Sequence, residues 1–238
     1  MLKAVLFDLD GTLLPMHESE FIKKYGELLG IKASKVGCDG QKLGKLIWES
    51  MHRMDLSDGT KSNDEIFDET FTDFYGEEKD KYKSILLDYY ADDFKGTKDV
   101  CKDNPLARSI VNFVKENNLL CILATNPVYP RIATKNRMNF IGLDEIDFNF
   151  YTHHENSRYT KSNPNYYQDL LDKFNLKPEE VLLFGNNTFE DGESSLKCNI
   201  KTYLIEGYII FDKRAKNTFQ IISMEDVIPT IKKYIENI

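Results

Sequence analysis

The 238-residue sequence predicts an α/β fold, a doubly wound parallel sheet that carries a smaller α-helical module. Three observations lead there. Short apolar runs alternate with helical patterns from about residue 104 onward, one more apolar run opens the chain, and the segment between these two regions is helical in period with almost no strand signal.

Ala4–Phe7 is the first predicted strand. Helical periodicity then covers Glu18–Leu29, Gln41–Met54, Asn63–Tyr75 and Lys79–Tyr90. Ser62 with Glu65 three positions later has the form of a capping box for the third of these, and Asp58-Gly59 marks a turn before it. A structureless stretch of about 80 residues is uncommon in a compact protein, so Pro15 to Gly96 is expected to fold and to sit over whatever the first strand presents. Helices at Asn104–Glu116, Val128–Met138, Pro164–Phe174 and Glu190–Lys197 then alternate with strands at Leu119–Ala124, Ile146–Tyr151, Val181–Phe184 and Lys201–Ile205. The expected division is residues 1–14 with 97–238 as an α/β core domain and 15–96 as a helical domain. No internal repeat or low-complexity tract interrupts it.

Composition narrows the function classes. Hydrophobic residues at 41% and charged residues at 29% give a globular balance, which excludes a disordered tail or a collagen. The net charge of −8 comes with no long basic run, so no nucleic-acid partner is expected. The N-terminus meets Asp8 and Asp10 too early for a secretory signal, and no stretch has the roughly 18–20 apolar residues of a spanning helix, so no membrane association and a cytoplasmic location are expected. Cys38, Cys101, Cys121 and Cys198 form no C-x-x-C pair and read as idle thiols, and the four histidines lack metal-ligand spacing.

The chemistry gathers at predicted strand ends. The first strand runs into Asp8-Leu9-Asp10-Gly11-Thr12, which puts two carboxylates where an open α/β sheet binds its ligands. One carboxylate there is able to attack phosphorus and form an aspartyl-phosphate, while a second protonates the leaving oxygen and then activates water. The blander alternative is a polar loop, or a calcium-type loop without its later glutamate. Thr125 and Asn126 follow the second strand, with a hydroxyl and an amide suited to a phosphoryl oxygen, although a threonine in that place is commonly an N-cap. Lys161-Ser162-Asn163-Pro164 places a lysine just before a helix, and a lone lysine is usually a solvated charge. Gly185-Asn186-Asn187-Thr188-Phe189-Glu190-Asp191 offers oxygen ligands for Mg²⁺ after the next strand.

Taken in order, these segments resemble the four motifs of the haloacid dehalogenase-like (HAD) hydrolase superfamily, over the whole chain. The insertion between the first two resembles the helical type 1 cap. The resemblance implies a Rossmann-like core, Asp8 as nucleophile and metal ligand, and Asp10 as acid/base whose backbone carbonyl also binds the metal. It further implies that Thr125, Asn126 and Lys161 hold the phosphoryl group, and that Asn186 and Asp191 lie in the Mg²⁺ site. A carboxylate attacking a phosphate dianion gathers about three negative charges, and a lysine with Mg²⁺ supplies about three positive ones.

Two departures matter. The fourth motif usually begins glycine-aspartate, whereas Asn186 and Asn187 stand here, which predicts a weaker metal site. The third motif reads Lys161-Ser162 instead of lysine-proline. Retention of Asp10 argues against dehalogenation. The expected activity is a Mg²⁺-dependent phosphatase for a small phosphorylated metabolite; the alternatives are a phosphomutase, or a catalytically weak relative that binds a ligand. Leu13, Leu14, Pro15, Met16 and His17 are positioned to touch the substrate but do not identify it. Phe67, Phe71, Phe74, Tyr75, Tyr89, Tyr90 and Trp48 read as core of the helical module. Periodicity leaves oligomeric state open.

Overall fold

The computed structural model describes residues 1–236. Six strands, β1 (Ala4–Phe7), β2 (Leu120–Leu123), β3 (Phe150–Tyr151), β4 (Val181–Gly185), β5 (Lys201–Ile205) and β6 (Gln220–Ile222), form one sheet in the order β3-β2-β1-β4-β5-β6. Every pairing is parallel. The chain is thus a doubly wound, Rossmann-like α/β protein. The order reverses around β1, which lies between β2 and β4, and that is where an open parallel sheet leaves a crevice for a ligand.

The central strands are apolar on both faces because helices cover both. Every residue of β1 and β4 is buried. Val5, Phe7, Leu123, Leu182 and Phe184 join the larger of two apolar clusters, while Ala4, Leu6, Ile122 and Leu183 face the smaller one with Tyr166, Tyr167 and Leu170. Adjacent residues therefore alternate between two dry layers. Around the sheet run α5 (Ala107–Glu116), α6 (Arg131–Phe140), α7 (Asn165–Lys173), the four-residue α8 (Ser194–Lys197) and α9 (Val227–Glu236), numbered after the four helices that follow β1.

Those four are α1 (Glu18–Lys35), α2 (Gly40–Asp55), α3 (Asn63–Tyr75) and α4 (Lys79–Ala91), followed by a 3₁₀ run at Asp93–Val100. The expected capping box is present: Ser62 Oγ accepts from the Glu65 amide at 3.2 Å and the Glu65 carboxylate accepts from the Ser62 amide at 2.7 Å. Tyr25, Tyr89, Tyr90 and Phe94 pack together edge to face or tilted, with centroids 5.4–6.3 Å apart. Asn136 on α6 donates to the Tyr90 carbonyl at 2.8 Å, which ties α4 to the core.

Some sequence expectations need correction. Ile146–Tyr151 is not one strand: Glu145–Asp147 is a 3₁₀ turn with Ile146 82% exposed, and only Phe150–Tyr151 pairs with β2. Asp144 causes the change, because its side chain and that of Asp147 close a reciprocal cap that holds the turn. The segment expected as helix Glu190–Lys197 begins earlier, as a π-helical turn at Thr188–Glu193. β6 and α9 were not expected. No helix among the described residues is long and apolar enough to cross a membrane.

Candidate active site

The site starts where β1 stops. Leu14 turns back onto the strand end, with its amide donating to the Leu9 carbonyl and its carbonyl accepting from Gly11, both at 2.8 Å. Gly11 has φ +78°, a left-handed conformation that suits glycine, and a Cβ there would lie 2.0 Å from the Asn186 amide nitrogen. The fourth motif consequently packs directly over the first. The turn leaves the Asp10 carbonyl with no hydrogen bond among the described residues.

Asp8 is buried at the bottom of this turn. Lys161 Nζ donates to Oδ1 at 2.7 Å and Thr12 Oγ1 donates to Oδ2 at 3.0 Å. Lys161, equally enclosed, also pairs with Asp191. Burial pushes the Asp8 carboxyl up to about 7 despite Lys161, since that one cation is shared with Asp191, whose like charge repels that of Asp8. Burial acts to lower Lys161, but Asp191 and Asp8 outweigh it and hold the ammonium well above its ordinary value.

Thr125 and Asn126 follow β2 and line the same cavity. The Thr125 carbonyl accepts from Thr152 at 2.6 Å and from Tyr166 at 3.0 Å, which fixes the loop. Asn126 donates to the Glu190 carboxylate at 3.2 Å and accepts from the Lys161 amide at 3.3 Å, bridging three of the predicted segments.

The fourth segment splits in two. Asn186 donates through Nδ2 to the Tyr208 carbonyl at 2.9 Å, so its amide oxygen is the end left free of protein partners among the described residues. Asp191, expected beside the metal, has both oxygens engaged: Oδ2 accepts from the Asn186 and Asn187 amides at 2.9 Å each, and Oδ1 pairs with Lys161. A Cβ on Gly185 would meet that carboxyl at 2.2 Å, so glycine there lets the acid fold under the turn. Glu190 lines the cavity, and burial pushes it up to about 7.

A divalent cation fits this arrangement in its donor chemistry. The Asp8 carboxylate, the unpaired Asp10 carbonyl and the Asn186 amide oxygen are all hard oxygen donors, although no cluster of three acidic, histidine or cysteine ligands exists among the described residues. Only Asp8 brings charge, so the set is weak.

Asp10 holds the residue that sequence reasoning missed. Its Oδ2 is paired with Arg137 of α6, a fully enclosed side chain, while Oδ1 is buried without a partner. Arg137 also donates to Thr134 Oγ1 at 3.1 Å and lies 4.5 Å from the Tyr129 ring centre. Burial raises the Asp10 pKa, and Arg137 opposes the rise. Nothing local distinguishes this arginine from a solvated helix charge.

Above the acids opens a cavity of about 190 Å³, closed over by residues of α1 and α2. Met16 lines it, whereas Leu13 and Leu14 are buried in the core cluster and His17 packs against Tyr208 with centroids 4.8 Å apart. Phe71 and Tyr89 are core as expected, but Trp48 is not: it lines the cavity and is 60% exposed.

Comparison with known proteins bears on the chain as a whole. The family model for haloacid dehalogenase-like hydrolases matches residues 2–194. A phosphorylated carbohydrates phosphatase of Thermotoga maritima is 23% identical over 197 residues, which make up 83% of this chain and 80% of the relative. Among solved structures, a HAD phosphatase from Thermococcus onnurineus superposes with a TM-score of 0.58 at 15% identity, covering 97% of this chain and 98% of the other. L-2-haloacid dehalogenase from Xanthobacter autotrophicus gives 0.58 at 13% identity, covering 98% and 99%. At these identities the likeness to both structures is one of fold.

Proposed function

The chain belongs to the haloacid dehalogenase-like hydrolases, and from that membership we propose a phosphatase that releases phosphate from a small phosphorylated metabolite through an ester on Asp8. The observation that carries this reading is the pairing of buried Asp8 with Lys161 and Thr12 on the floor of a cavity that Thr125 and Asn126 also line.

In this reading an Asp8 oxygen attacks phosphorus. The ester P–O bond breaks as the new O–P bond forms, and the departing alkoxide takes the proton of Asp10. Burial of Asp10 favours the protonated form needed for that step. Water then attacks the aspartyl-phosphate while Asp10 accepts its proton, freeing phosphate and regenerating Asp8. Thr125, Asn126 and Lys161 hold the phosphoryl oxygens, and Asp191 keeps Lys161 in place. Arg137 keeps the Asp10 carboxyl aimed. A divalent cation such as Mg²⁺, held by Asp8, the Asp10 carbonyl and Asn186, would screen the repulsion between nucleophile and phosphate. The helices of 15–96 act as a cap that excludes water from the ester. The presence of Asp10 favours this chemistry over dehalogenation, which has no alkoxide to protonate.

The test is phosphate release from p-nitrophenyl phosphate with Mg²⁺, wild type against Asp8→Asn. Equal rates would replace the enzymatic reading with a ligand-binding one, for which the asparagines at 186 and 187 are the supporting observation.

A further inference from the structure

Resting on the phosphatase reading, we infer that the substrate is a monophosphate whose alcohol part is apolar, of aryl or branched-alkyl character, and carries neither a second phosphate nor a polyol. A second apolar stripe on the helices above Asp8 carries this inference. In α2 the buried face is Leu43, Leu46, Ser50 and Met54. Beside it, Gly44, Ile47, Trp48 and Met51 recur at helical spacing and line the cavity. Across from them α1 presents Phe21, Ile22, Tyr25 and Leu29.

These side chains form a wall with few polar groups. No lysine, arginine or histidine of α1–α4 lines the cavity among the described residues, and the single charged group they contribute is the carboxylate of Glu18. A second phosphate would meet that anion with no cation to receive it. Sugar hydroxyls would fare little better. The Tyr25 and Tyr90 hydroxyls are bonded to each other at 2.8 Å, so beyond that pair the side chains of the α1–α4 wall offer hydroxyls leaving water only the Glu18 carboxylate and the Trp48 indole N–H. Trp48 at the rim, 60% exposed, offers a flat apolar surface that an aromatic or branched group would cover. The relative from Thermotoga maritima is named for phosphorylated carbohydrates, and this chain is expected to differ from it in that respect.

The experiment compares 1-naphthyl phosphate with glucose 6-phosphate, by kcat/KM for the wild type with Mg²⁺ and by calorimetric binding to Asp8→Asn. The expected result is a preference of about tenfold or more for the naphthyl ester in both, with Trp48→Ala reducing the ratio by about fivefold. A ratio at or below unity in either measurement overturns the inference while leaving a phosphatase. If neither ester is hydrolysed faster than by Asp8→Asn, the phosphatase reading falls, and the binding arm still decides this one: naphthyl phosphate binding about tenfold tighter than inorganic phosphate supports an apolar site, and equal binding overturns it.

Discussion

The Arg137 guanidinium lies against the Asp10 carboxylate in a closed ion pair, joining the turn after β1 to the middle of α6. Arg137 is fully enclosed while Asp10 keeps 24% of its side-chain surface; removing one partner of a fully buried pair costs about 3–5 kcal/mol, and protonation of the partly exposed acid puts this pair at the lower end of that range. Arg137→Met is therefore expected to lower the unfolding free energy by about that amount and kcat by about a hundredfold. Adding Asp10→Asn should restore part of the stability and none of the activity. Additive losses in urea melts of the two single variants and the double variant would show that the pair is not coupled.

Asp8 should display opposite effects on activity and stability. Its carboxyl is held near 7 by burial, so at pH 8 the folded protein carries a buried charge that costs it stability. Asp8→Asn is expected to cut phosphate release by about a thousandfold or more yet stabilise the fold at pH 8 by about 1–3 kcal/mol. Below about pH 4 the wild-type group is protonated in both folded and unfolded chains and the advantage of asparagine should vanish. Thermal melts of both proteins at pH 8 and pH 4 check this; a destabilised variant at pH 8 contradicts it.

Glu190 gives a stability slope of definite sign. Its folded pKa is raised to about 7 from the ordinary 4.5, so between those values the native state holds a proton that the unfolded chain has lost. Stability contributed by this group is fully present below about pH 4.5 and declines as pH rises toward 7. Glu190→Gln should flatten that decline, with a gain of about 1–3 kcal/mol at pH 8, measured in chelator so that no cation screens the acids. An unchanged slope would place the carboxyl in water.

Asn186→Asp is expected to reduce the Mg²⁺ concentration for half-maximal activity about tenfold by adding charge to a weak set of donors. The same change removes the Nδ2 hydrogen bond to the Tyr208 carbonyl and sets an anion beside it, so the metal-free protein should lose about 1–3 kcal/mol. Activity and melting curves with and without Mg²⁺ should cross. No shift in metal requirement would mean that position 186 is not a ligand.

The local parts of the site could be read from the sequence because each is a short segment, three of them at strand ends, Asp8 to Thr12, Thr125 with Asn126, and Gly185 to Asp191, and the fourth, Lys161, just before α7. Their meeting in one cavity follows from the parallel topology, which brings every strand's carboxyl end to one side. Arg137 could not be found that way, because its partner is distant in the chain and an arginine within a helix carries no mark of burial. Trp48 misled for a related reason: helical periodicity says that a side chain shares a face with its neighbours, not whether that face meets protein or a cavity. β6 escaped notice because Gln220 to Ile222 is a short, partly exposed edge strand without a continuous apolar run.

The placement of β1 has a consequence for biosynthesis. β1 is made well before either of its sheet neighbours: it pairs on one side with β2 and on the other with β4, which sets Ala4 beside Val181. A nascent chain cannot bring Lys161 or Asp191 to Asp8 until the segment up to residue 191 has been made, so this cluster of buried charges is assembled late in synthesis.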